Sequence, residues 1–89
     1  MNVDWWGVES ELLARGSAVH IGVSRGWSSS VARGEFITVG GTRAKALTVR
    51  QFASVAEIPA SWVERFKGQL PDPVTASNYG LYGVMLVRA

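Results

Sequence analysis

His20 is the only histidine among the 89 residues, and cysteine is absent. The groups able to serve as base, nucleophile or metal ligand are therefore few. A Ser-His-Asp arrangement needs an acid held against the imidazole. His20 instead sits in the run AVHIG, with no acid near it in sequence. One histidine and dispersed carboxylates give no ligand spacing for a metal. His20 reads as a structural residue, and the chain as a non-enzymatic protein with neither metal nor other cofactor.

The turn Arg25-Gly26-Trp27-Ser28-Ser29-Ser30 offers a second kind of chemistry. Successive backbone amides with hydroxyls from Ser28, Ser29 and Ser30, beside Arg25, form a nest for a small anion or nucleotide phosphate. The turn has neither the lysine nor the glycine spacing of a P-loop. Serine-rich turns also commonly cap their own backbone.

Charge is the broader signal. Residues 1 to 16 carry a net −2, residues 17 to 50 a net +4, and the remainder is neutral, for +2 in total. Arg25, Arg33, Arg43, Lys45 and Arg50, with Trp27 for base stacking, make a nucleic-acid-binding surface one reading of residues 17 to 53. Basic residues that protect sheet edges and solvate a face give the competing reading. A total of +2 is modest for a nucleic-acid binder.

Aromatic residues point elsewhere. Four tryptophans and two tyrosines in 89 residues exceed what a core of this size easily encloses, because each large aromatic buries about 150 to 250 Å². Trp5 and Trp62 are expected to pack helices on the sheet. Trp6, Trp27 and Tyr79, at a helix start or in turns, are expected to contact a protein partner, since tryptophan, tyrosine and arginine dominate binding hot spots. The first functional reading is accordingly a small non-catalytic protein that occupies a surface of another protein, as phage or mobile-element inhibitors and accessory proteins do. Nucleic-acid binding through residues 17 to 53 and anion binding at residues 25 to 30 are the alternatives.

These residues must be positioned by a single domain, since a chain this short hides only about 60 to 65% of the surface its unfolded form exposes. Without disulfides, such a domain relies on apolar packing or on self-association. The acidic N-terminal residues do not suit a signal peptide, and no apolar run approaches the roughly 18 residues of a membrane span. A cytoplasmic protein that does not enter a membrane is expected.

Trp5, Val8 and Leu12 follow helical spacing, so residues 5 to 15 read as a helix with Asp4 as N-cap, Gly16 at C′, and Glu9, Ser10 and Glu11 facing water. Residues 18 to 27, 31 to 40 and 43 to 53 read as a three-stranded antiparallel meander. Gly40-Gly41 supplies its tight turn, and Gly34 a bend. In the third strand Leu47 and Val49 fall on one face, with Leu47 expected in the sheet interior, and Arg50 and Phe52 lie nearer the other. Ser61 to Glu64 has capping-box spacing and opens a short second helix. A loop through Pro73 and a turn at residues 77 to 80 then lead to LYGVMLVR, whose apolar residues at both parities predict a central strand.

The order α-β-β-β-α-β gives an α+β fold, a curved antiparallel sheet of about four strands against two short helices. The segment VARGEFITVGGTRAKALTV is similar to the strand-glycine-strand pattern of small SH3-like and KOW-type barrels. That resemblance covers under half the chain and implies, as the alternative fold, a small barrel with helical additions.

Overall fold

A computed structural model describes residues 2 to 23 and 31 to 89. It is an α+β domain built on one mixed five-stranded sheet. The strands are β1 (Asn2–Val3), β2 (Ser17–Val23), β3 (Phe36–Val39), β4 (Thr42–Phe52) and β5 (Leu81–Arg88), and the described helices are α1 (Val8–Arg15), α2 (Ala60–Arg65) and α3 (Pro73–Tyr79). A 3-10 turn, Val55–Glu57, joins β4 to α2.

The sheet order β1-β3-β4-β5-β2 corrects the meander. β3 and β4 form the expected hairpin, with Val39 opposite Thr42 and Gly40 at φ 61, the positive φ required at the first central position of a II′ turn. β2, however, pairs with β5 rather than β3. The C-terminal strand is apolar at both parities, so it is stable only where both faces and both edges are covered. It takes the place between β4 and β2, splitting the three earlier strands. The sheet is also not wholly antiparallel, because β1 pairs parallel with β3, Val3 opposite Val39. Its outer strands β1 and β2 do not meet, so it is open and the barrel alternative does not hold.

Each face of the sheet carries its own core. Val8 and Leu12 of α1 pack on Ile37, Ala46, Val84 and Leu86. On the opposite face Trp62 of α2 and Ala76 of α3 pack on Val19, Ile21, Phe52 and Leu81. Gly83 lets Trp62 lie flat on β5, since a Cβ there would sit 2.7 Å from the indole. Both groups join β2 and β5 to helices, and α2 and α3 cover only that side of their face.

Three helix boundaries depart from expectation. Gly7, at φ 77, precedes the first turn of α1, so Asp4 caps nothing and Trp5 and Trp6 stand outside the helix. Gly16 does close it, donating to the Leu12 carbonyl at 2.9 Å. α2 starts at Ala60 directly after Pro59, with no side-chain cap, which leaves Ser61 inside the helix. The loop expected through Pro73 is α3: Asp72 accepts from the Val74 and Thr75 amides, both at 3.0 Å, with Pro73 at the first position, where a missing N–H costs nothing. Bonds from Thr75 hold the Asp72 carboxyl below its usual range.

The acids of α1 do not face water as expected. Glu9 accepts from the Gly41 amide at 2.7 Å and the Thr42 hydroxyl at 3.1 Å, fastening α1 to the β3–β4 turn. Glu11 is largely buried between Arg15 at 3.7 Å and Arg65 at 3.8 Å. Arg65 also donates to the Ser17 carbonyl and hydroxyl, so one guanidinium ties α2 to α1 and to the start of β2.

Candidate functional site

Trp5 and Trp6 part within the turn Trp5-Trp6-Gly7-Val8, closed by the Val8 amide on the Trp5 carbonyl at 3.1 Å. Trp5 is 8% exposed and its indole is stacked on His20, centroids 4.0 Å apart and planes 1° apart. Trp6 is 74% exposed. Its position follows from Gly7, whose positive φ turns the chain and whose missing Cβ lets Lys67 approach to 2.9 Å from where that Cβ would stand. Trp6 thereby overlooks a cleft of about 550 Å³ lined also by Lys67, Gly68 and Gln69. Leu13, one heptad along the chain, is exposed as well. Of the aromatic residues singled out in the sequence, Trp5 and Trp62 are core residues and Trp6 is a surface residue.

Tyr79 ends α3 and is 47% exposed. It lines a second cleft, about 520 Å³, with Trp5, His20, Gly22, Val23, Thr75 and Tyr82. Trp6 and Tyr79 do not share a cleft; Trp5 borders the clefts of both. Trp27, Arg25, Ser28, Ser29 and Ser30 lie outside the described residues, so the anion nest does too.

His20 is packed among rings. The Tyr82 hydroxyl and His20 Nε2 share a hydrogen bond of 3.2 Å, and Phe66 meets the imidazole edge-on at 5.9 Å. Burial lowers its pKa from 6.5 to about 4, because desolvation penalises the imidazolium. At neutral pH it is an uncharged ring. Burial likewise raises the Tyr82 phenol. Among the described residues, no three His, Asp or Glu side chains converge as metal ligands.

No family model, curated protein or solved structure matches this chain. Function must be read from the residues themselves.

The basic residues divide. Arg43, Lys45 and Arg50 project from one face of β4, opposite Ala44, Ala46 and Val49, which face the α1 core. Arg33 is exposed in the turn preceding β3. The Glu35 amide and carboxylate close that turn with Ala32, and Gly34 at φ 88 lies in it rather than inside a strand, so the strand expected over 31 to 40 begins only at Phe36. Phe36 is 46% exposed on the Arg43–Lys45 face. The Arg43 guanidinium lies 4.8 Å, and the Lys45 ammonium 5.8 Å, from its ring centre.

Leu47 is not interior. The register between β4 and β5 shifts between Ala46 and Thr48, and Leu47, expelled at that bulge, is 41% exposed. Phe36 was legible from the alternation with Ile37 and Val39. Leu47 was not, because a bulge resets the period without changing composition.

Proposed function

We propose that this protein is a small non-catalytic binding protein that acts by occupying a surface of a protein partner, with Trp6 as its anchor. The observation that carries this reading is the 74% exposure of Trp6 at a position fixed by its neighbours. Trp5 is stacked on His20 and Gly7 lies against Lys67, so the backbone on both sides of Trp6 is packed against the domain. Tryptophan is enriched among the residues that dominate the centres of protein interfaces. Tyr79, exposed at the end of α3, and Trp27, by residue type alone, are further candidate contacts with a protein partner. The accessory or inhibitory role read from the sequence is of this kind, since such proteins work by covering a site.

The test is affinity capture with tagged wild-type protein from nuclease-treated lysate, followed by titration of the purified captured protein against wild type and Trp6→Ala. Loss of a Trp6 anchor is expected to weaken binding by about 2 kcal/mol or more. Unchanged affinity for Trp6→Ala overturns the assignment.

A further inference from the structure

Among the described residues, the helices leave half of one sheet face uncovered. α2 and α3 pack over β2, the adjoining part of β5 and the end of β4, whereas the β3–β4 half on that face presents Phe36, Arg43, Lys45 and Arg50. We infer that this uncovered half is a docking surface for single-stranded nucleic acid.

Three observations carry the inference. First, Arg43 and Lys45 are not edge protection. Arg43 lies where β4 is paired with β3 and Lys45 where it is paired with both β3 and β5, so neither guards an open edge; Arg50 alone lies beyond the β3 pairing. Second, they are uncompensated. The ion pairs among the described residues join Glu11 to Arg15 and Arg65, and none involves Arg43, Lys45 or Arg50. Like charges held on one strand face repel, and an anionic polymer relieves that repulsion. Third, each cation lies over an aromatic ring: Arg43 and Lys45 over Phe36, Arg50 over Phe52 at 5.3 Å and over Trp62 at 5.9 Å. A base stacks on the part of the Phe36 ring left exposed or on the guanidinium packed against it, while the cations themselves reach phosphates.

The same geometry selects a single strand over a duplex. Phe36 and the cations rise from a pleated face, with no helix or projecting ribbon to enter a major groove, and the bases of a duplex are stacked among themselves beyond the reach of Phe36. An acidic protein segment would use the cations but would gain nothing from the ring as a stacking platform.

The experiment is anisotropy titration of the full chain with labelled oligothymidylate of about 12 nucleotides, with a duplex of equal length and with polyglutamate, across salt concentrations. Three neutralised phosphates predict a slope of log K on log salt near −2, at about 0.7 per phosphate for a single strand. Arg43→Ala and Lys45→Ala are each expected to reduce the slope by about 0.7. Phe36→Leu is expected to weaken binding about 5-fold or more while leaving the slope unchanged. Arg15→Ala, on the opposite layer, leaves both unchanged. Circular-dichroism melts establish that the variants are folded. Absence of oligothymidylate binding at low salt overturns the inference, as does a duplex bound equally well. Polyglutamate bound as tightly, with Phe36→Leu inert, assigns the face to an acidic protein segment instead and likewise overturns it.

Discussion

Trp5 and Trp6 are neighbours in sequence and opposites in the fold: one stacks on His20 at 4.0 Å, the other stands 74% exposed beside Lys67. They begin the turn Trp5-Trp6-Gly7-Val8, closed by the Val8 amide donating to the Trp5 carbonyl at 3.1 Å, with Gly7 at φ 77. Two identical side chains therefore report on different properties. Trp5→Ala is expected to cost about 3 to 5 kcal/mol, since it empties a packed position. Trp6→Ala is expected to change stability by no more than about 0.5 kcal/mol. Urea denaturation of both variants measures the difference; equal losses would mean that Trp6 also supports the core.

His20 gives the fold an acid-sensitive point. Its pKa is near 4 when folded against 6.5 for the unperturbed group. Between those values the unfolded chain binds a proton that the folded chain does not, so stability rises with pH there. The contribution is fully present above about pH 6.5 and is lost as pH falls toward 4, by about 3 kcal/mol in total. His20→Phe keeps a ring against Trp5 and removes the titration, so its stability should show a flatter profile over this window. A wild-type profile that is flat between pH 6.5 and 4 would place His20 in water.

The Glu9 carboxylate holds the β3–β4 turn through the Gly41 amide and the Thr42 hydroxyl. Bonds to a charged acceptor are the stronger class, and removing the acceptor strands a half-buried donor. Glu9→Ala is expected to destabilise by about 1 to 3 kcal/mol. Gly40→Ala should also be destabilising, because φ 61 is a left-handed conformation and its Cβ would meet the Glu9 carboxylate. Thermal melts of the two variants and their combination test this. Additive losses would show that the turn and the carboxylate act separately.

The bulge in β4 makes two leucines unequal. Leu86 is fully buried against Ala46, its partner across the ladder, and Leu86→Ala is expected to cost about 2 to 5 kcal/mol. Leu47→Ala, at an exposed position, is expected to stay within about 0.5 kcal/mol. A large loss at Leu47 would mean that the strand keeps its regular alternation in solution.

Much of this arrangement was legible in the residues. The alternation of Phe36, Ile37 and Val39, the Gly40 turn, the Gly16 helix stop and the doubly apolar C-terminal strand each reflect a local rule that the fold obeys. α3 was legible too: Asp72-Pro73 is an N-cap followed by proline at the first helical position, but the proline-dense composition reads more readily as a loop. The pairing of β2 with β5 was not legible, because adjacency in sequence favours β2 with β3 and only the burial requirement of a distant strand overrides it. Nor was the role of Glu9 and Glu11, whose partners Thr42 and Arg65 lie more than 30 residues away. Of the basic residues, parity joined Arg43 and Lys45, but the bulge decides that Arg50 shares their face.

Titration of the purified captured partner against wild type and Trp6→Ala decides whether Trp6 anchors a protein partner. A variant with a wild-type melt should bind about 30-fold or more weakly, the equivalent of about 2 kcal/mol. An affinity equal to wild type in the folded variant would mean that Trp6 is no anchor.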